Sequence, residues 1–486
     1  MTRSRNIKFS RKWHLLLVWP AMVSVLIYVL SSLAHPVAGW LGPQKSSFKA
    51  PSYQVDSQVV NSIATIIKQN QLSTAKMAKL VPFEDGVLLQ VTQGSGKNLT
   101  RRYFSTQTYK EIPQQDVKQA TWLAQHYVVA NPHVKFVEHI TEFNKDYPKS
   151  NRLLPVYRIH YQTSDNMVAT VHTESLALVS LNNDAKRLMK QIFRMFHTFD
   201  WLNEFESVRL TVIAILLSLI LVMSITGFYF LLLMKRKRVI KKTERRWHQR
   251  LAYVLVVPLF LFSMSGFYHL LQASFYTPKE TLTFNSDLNL ALWKNNVSIS
   301  DHINNQSYSH VSLVQGKGPL YRLQKVKESR NIQRQVYFLD ASTGQPLEYS
   351  DQGLAHKNLI KQLPLTIEHI KRSVWIYEFE PGYSFKNKRL PVMKVELADE
   401  NNHHIFIDPV TQSIVTSNDA VSRVEGYSFS YLHMWGWLKP LLGHEGRDVV
   451  FTVLLVLTLI LSLLGLQIHL VTKRSKKISV GVLSKI

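Results

Sequence analysis

The 486-residue chain contains no cysteine. That absence excludes disulfide staples, thiolate-held iron–sulfur clusters, covalent c-type heme and thiol nucleophiles. No Gly-x-Gly-x-x-Gly follows a strand pattern, so no dinucleotide domain is expected, and there is no Walker loop, His-Glu-x-x-His or Gly-x-Ser-x-Gly. Acidic residues nearly vanish from three short segments. Before Trp13 stand Arg3, Arg5, Lys8, Arg11 and Lys12 with no acid. Between Lys235 and Arg250, nine bases face Glu244 alone, and Lys473, Arg474, Lys476, Lys477 and Lys485 follow the last apolar run. Those segments supply +18 of the formal net charge of +25.

Long apolar sequence is what the chain has in plenty. Four runs, Trp13–His35, Val208–Met234, Leu251–Phe275 and Val449–Val471, are long enough to cross a bilayer and carry almost no charge. The first run is too long for a signal-peptide core, and Ala34-His-Pro-Val-Ala38 is a poor cleavage site, so a retained span is expected. The positive-inside rule places both termini and the basic loop in the cytoplasm. The charge is thus accounted for without nucleic acid. The expected organisation is a basic tail (1–12), a span (13–35), an outer segment (36–207), a span (208–234), a basic loop (235–250), a span (251–275), an outer segment (276–447), a span (449–471) and a cytoplasmic tail (472–486).

The chain also repeats itself. Leu154-Pro-Val156 returns as Leu390-Pro-Val392, and Met195-Phe-His197-Thr-Phe-Asp-Trp201 lines up with Tyr431-Leu-His433-Met-Trp-Gly-Trp437 at the same offset of 236. Trp13-His14 matches Trp247-His248, and Gly227 matches Gly465. Each half therefore reads as helix, outer domain, helix, which predicts a parallel repeat and a four-helix transmembrane bundle from an internal duplication. The outer segments read as α+β. Helical spacing covers Gln54–Gln69 and Gln114–Val129, and strands are expected at Gly86–Val91, Arg102–Phe104, Val156–Tyr161 and Met167–Val171. Asp-initiated turns at Asp340 and Asp408 separate strand patterns and predict hairpins.

Histidine placement carries the functional reading. His14 and His248 open the first and third runs, and His35 and His269 each follow 21 residues later. At about 1.5 Å per residue this spans roughly 31 Å, the thickness of the hydrocarbon core. Matched imidazoles at matched depths suit two axially ligated b-type hemes. The inner pair would be His14 with His248. The outer pair would be His35 with His269, with His433, alone or with His197, as the competing ligand. His469 has no repeat counterpart, and His444 lies near the outer face. A Trp-His pair after basic residues is also an ordinary interfacial anchor, so both readings stand at this point. Lys386, Lys388 and Arg389 form either a solvated patch or an attraction for an anionic ferric complex.

Several motifs resemble a known family. Strand–Asp-x-x-Thr-Gly–strand hairpins after a helix are similar to PepSY domains. Arg-x-x-His at the start of a span, Leu432-His433-Met-Trp-Gly436 and Gly443-His-Glu-Gly-Arg447 before another span resemble the PepSY-associated transmembrane family. In the first half His197 is followed by Thr-Phe-Asp-Trp201, and the turn near His172 lacks Asp and Gly, both departures from the pattern. The resemblance covers nearly the whole chain and implies two PepSY-like extracytoplasmic domains. It also implies a bacterial inner-membrane protein carrying heme b, two copies on the histidine count. Known members include heme-containing reductases of ferric siderophores, so reduction of ferric-siderophore iron outside the cytoplasm is expected, with electrons from a quinol or a separate donor. A non-catalytic PepSY protein that binds or inhibits a periplasmic protease or envelope partner is the alternative, and a transporter subunit with a histidine proton relay is a third.

Overall fold

The computed structural model describes every residue except 1–2, 47–48, 130–131, 145, 234–242, 277–286, 295–306, 326–334, 364 and 484–486. The bases of the central loop from 235 to 242 fall outside the described residues. Ten α-helices form among the described residues: α1 (Arg3–Leu16), α2 (Val18–Trp40), α3 (Ser57–Gln69), α4 (Gln115–Tyr127), α5 (Asp184–Phe196), α6 (Glu206–Leu233), α7 (Thr243–Phe275), α8 (Asp351–Gln362), α9 (Ala420–Ser428) and α10 (Lys439–Leu483). The chain divides into two compact units. One comprises Met1–Gly42, Asp184–Thr277 and Val421–Ile486, the other Pro43–Asn183 and Pro278–Ala420.

The first unit is helical. Four of its helical stretches, Val18–Trp40, Asp184–Leu232, Thr243–Phe275 and Gly436–Thr472, are long and apolar enough to cross a membrane. Within it α1 packs on α6, α2 on α5, α6 and α10, and α7 on both α6 and α10. Val25, Val29, Ile220 and Leu455 form its buried centre, with Tyr28, Leu259 and Phe451 against them. The first apolar run is broken at Leu17 between α1 and α2. Pro20 has no N–H to continue the ladder, which places it naturally in the first turn of a new helix. That helix then continues past His35 to Trp40. In α10 the backbone departs from helical values at Gly443 (φ 70°), where a side chain would be strained.

The second unit is α+β and draws on both outer segments. Its seven-stranded antiparallel sheet joins β2 (Met77–Phe83), β3 (Gly86–Gln93) and β4 (Thr100–Ser105) to β10 (Tyr308–Gln315), β11 (Pro319–Lys325), β12 (Val336–Asp340) and β13 (Pro346–Leu347). The seam is the β2–β10 pairing, with Lys79 opposite Ser312. Each segment thus covers the other's open strand edge, and the two segments form one unit where the sequence suggested two separate domains. A short ribbon pairs β1 (Thr74–Ala75) with β9 (Leu288–Asn289).

Two four-stranded sheets complete the unit. One runs β5 (Val134–Ile140), β6 (Val156–Tyr161), β7 (Val168–His172), β8 (Ala177–Asn182). The other runs β14 (Ile370–Ile376), β15 (Val392–Leu397), β16 (His404–Asp408), β17 (Ser413–Asn418). Every strand of the second begins 236 positions after its counterpart, and the irregularities at Val134/Phe136 and Thr170/Val171 return at Ile370/Arg372 and Phe406/Ile407. Helix α4 packs Ala120, Leu123 and Ala124 on the first sheet, and α8 packs Ala355 and Leu359 on the second.

The turns after β7 and β16 differ. Asp408 accepts from the Val410 N–H (3.0 Å) and the Thr411 hydroxyl (3.0 Å). His172 occupies the equivalent place: its Nε2 accepts from Arg101 (2.9 Å), so its Nδ1–H donates to Ser175 Oγ (2.7 Å) across the turn. Burial and the neighbouring Arg101 hold this imidazole well below its usual range, hence neutral. Arg389 is not part of a solvated patch. Its guanidinium is buried between Glu174 and Asp408 (2.7 Å to the latter), while Lys79 reaches Glu174 at 2.9 Å. Burial would raise the Glu174 carboxyl, but Arg389 and Lys79 outweigh it and hold the group well below the usual carboxylate range.

Candidate functional site

The helical unit encloses a cavity of about 420 Å³, lined largely by aliphatic and aromatic side chains from α2, α6, α7 and α10 together with His35, His197, His269 and His433. Its size lies in the range usual for small-molecule and cofactor sites. Local structure delivers His197 and His433 in the same way. His197 continues α5 through its N–H to Phe193 O (2.7 Å), and Phe199 (φ 53°) then reverses the chain toward α6. His433 ends a single π-helical turn, Phe429–His433, and Trp435 (φ 50°) reverses the chain toward α10. Such turns are frequent at functional sites. The residue four positions earlier stacks on each imidazole: Phe193 on His197 (4.4 Å) and Phe429 on His433 (5.0 Å).

The two rings meet edge to face, with centroids 6.3 Å apart and planes at 76°. With metal–nitrogen bonds of about 2.0 Å, two rings at roughly this separation could share one metal. Each ring is held through Nδ1. His197 Nδ1 lies 3.2 Å from Ser31 Oγ, which also donates to Tyr28 O (3.2 Å), and 3.4 Å from Ser32 Oγ. Ser265 donates to Leu261 O (2.6 Å) and accepts from His433 Nδ1–H (3.3 Å), which also faces Phe262 O (3.3 Å). Facing a carbonyl, His433 Nδ1 carries the proton and leaves Nε2 as the acceptor nitrogen.

His14 and His248 follow the same rule. The Thr226 hydroxyl donates to Met223 O (3.0 Å) and so accepts from His14 Nδ1–H (3.2 Å). His248 Nδ1–H donates to Leu461 O (3.1 Å). A glycine faces each of the two rings: Gly227 lies against His14 and Gly465 against His248.

No family model and no curated protein matches the chain.

The other expected histidines sit differently. His35 and His269 line the same cavity but are exposed, and His269 Nδ1 pairs with Glu425. His444 is exposed in the turn after Gly443, and His469 is half-buried on α10. Among the described residues no group of three or more His, Asp or Glu side chains is placed to share a metal ion. A prosthetic group held through two imidazoles does not need one. The donor set fits such a group: four imidazoles each held through Nδ1, two of them, His197 and His433, in ring contact beside a largely apolar cavity. Ser31, Ser265, Thr226 and Glu425 escape sequence reasoning because each acts on a residue more than 150 positions away. The Phe-x-x-x-His spacing at 193/197 and 429/433 was readable as a repeated pair.

Proposed function

We propose that this chain is a di-heme b membrane protein that passes electrons to ferric-siderophore iron on the extracytoplasmic side. The observation that carries the reading is the common placement of His14, His248, His197 and His433, each with Nδ1 against a hydroxyl or carbonyl of another helix, which leaves Nε2 as the nitrogen available to a ligand. His14 with His248 would hold one group and His197 with His433 the other. The 6.3 Å ring separation is the ground for choosing His197 with His433. When bound, a bis-imidazole heme supplies reversible one-electron iron chemistry with no open coordination position.

The protein's own contribution is to hold each ring through Nδ1 and to wall the His197–His433 pair with largely aliphatic and aromatic side chains. The two sheets repeating at 236 support descent from an internal duplication with PepSY-like folds in the outer unit. The basic segments support cytoplasmic termini in a bacterial inner membrane. The substrate class rests on the resemblance in the motifs around His433 and Arg447.

Purified protein should show a b-type reduced-minus-oxidised spectrum with close to two hemes per chain. His197→Ala and His433→Ala should each remove about half of the heme, and the double variant little more, because two ligands of one iron act as a unit. A colourless wild-type protein, or full heme in both single variants, overturns the reading and leaves the partner-binding alternative.

A further inference from the structure

We propose that His269 and Glu425 form a binding and deprotonation site for a lipid-soluble hydroquinone, the electron donor to the function proposed above. The pair lies on α7 and α9, and its histidine lines the apolar cavity that His433 also lines. Glu425 is mostly buried, with 16% of its side chain exposed, whereas His269 leaves 49% open. A carboxylate at Nδ1 fixes the imidazole so that Nε2 is the exposed acceptor. A half-open, carboxylate-backed imidazole beside an apolar cavity is equipped to take a phenolic proton from a hydrophobic donor.

The route inward is also built. The His269 ring contacts Phe429 at 4.8 Å, and Phe429 stacks on His433 at 5.0 Å, so two ring contacts separate the pair from the buried imidazole. The duplication sharpens the point. Position 189, the first-half equivalent of Glu425, is Met189, so His35 has no carboxylate at the corresponding place on α5. Glu206 and Asp448 also line the cavity, so what sets His269 apart is a carboxylate bonded directly to its Nδ1. The level of His269, 21 residues along α7 from His248, puts the pair at one end of a span, where a membrane-dissolved ring is reached from the lipid.

The chemistry balances as follows. The hydroquinone gives its first phenolic proton to His269 Nε2, the Glu425 carboxylate stabilises the resulting imidazolium through its Nδ1–H, and Nε2 then releases that proton to water. With Nε2 unprotonated again, the second proton leaves by the same route. The two electrons would pass, one each, to the two ferric groups that the function proposed above requires, and the ring would depart as the quinone.

The test uses full-length protein in nanodiscs and 2-heptyl-4-hydroxyquinoline N-oxide as a stable hydroquinone analogue, with binding read calorimetrically and heme read separately by its spectrum. Wild type should bind about one equivalent, and a water-soluble catechol should not displace it. Glu425→Gln and His269→Asn should each weaken binding at least tenfold with heme content unchanged, while His35→Asn should bind normally. Unchanged affinity in both Glu425→Gln and His269→Asn overturns the proposal, as does heme loss in His269→Asn or displacement by catechol. Analogue binding that depends on Glu425 in a protein without heme would retain this site and refute the di-heme reading. Heme without analogue binding would do the reverse.

Discussion

A glycine stands against an imidazole at each end of the His14–His248 pair, and the two contacts differ in tightness. A Cβ at Gly465 would lie 3.0 Å from His248 Cε1, whereas one at Gly227 would lie 3.8 Å from His14 Cε1. Gly465→Val should therefore displace the His248 ring from Leu461 and remove the inner heme while leaving the outer one. Gly227→Ala should be nearly silent. Heme per protein, measured after extraction, separates the two outcomes. Thr226→Val keeps the shape of the side chain but deletes the hydroxyl that accepts from His14. Loss of such an outer partner lowers metal affinity by about 10–100-fold, so this variant should lose heme on dilution or competition with apo-myoglobin. Equal retention in wild type and variant would contradict the role given to Thr226. Neither glycine's closeness nor the threonine's bond was legible in the sequence. The histidines announce themselves by type and spacing, but their partners come from other helices and are chosen by packing.

At the scale of elements, periodic signals were legible and edge choices were not. The amphipathic stretch Gln54–Gln69 folds as α3, Gln114–Val129 as α4, and the strand expected at Val156–Tyr161 has those limits. The Asp408 turn forms because an aspartate side chain can bond backbone two residues on. The pairing of β2 with β10 across the two outer segments could not be read, since nothing in an alternating strand names its neighbour. Arg389 was misleading for a related reason: a basic residue beside Lys386 and Lys388 looks like surface, yet it ties Glu174 of the first segment to Asp408 of the second. Removing one partner of a buried pair typically costs about 3–5 kcal/mol, so Arg389→Met should clearly lower the urea midpoint of the outer unit, followed by tryptophan fluorescence. The double variant Arg389→Met/Glu174→Gln should recover part of the loss. Because Glu174 ionises below its unfolded value of about 4.3, its contribution is present above that pH and fades as pH falls toward the folded value. The gap between wild type and Glu174→Gln should therefore hold from pH 6 to about 4.3 and narrow only on further acidification. A gap that stays constant would remove the ion cluster from the account.

For the whole molecule, the distribution of charge makes the sharpest statement. Four helices are long and apolar enough to span a bilayer, and the segments expected outside it alternate in character. Short stretches before Trp13, between Lys235 and Arg250 and after Val471 hold +18, while the two long segments carry the folded α+β unit. A Lys or Arg near a span end biases that end to the cytoplasm, whereas long domains are translocated largely regardless of charge. Both termini should then lie inside and the α+β unit outside. Reporters fused after Ile486 test this directly: one that works only in the cytoplasm should be active, and alkaline phosphatase should be inactive. Fusion within the 295–306 segment should reverse the pattern. Neutralising the nine bases between Lys235 and Arg250 should make the C-terminal reporter heterogeneous, because that loop fixes the orientation of α6 and α7 together. Alkaline phosphatase activity at the unaltered C-terminus would place the His14–His248 pair at the outer face. It would also turn the His269–Glu425 pair toward the cytoplasm, so the direction of electron flow proposed for this protein depends on that measurement.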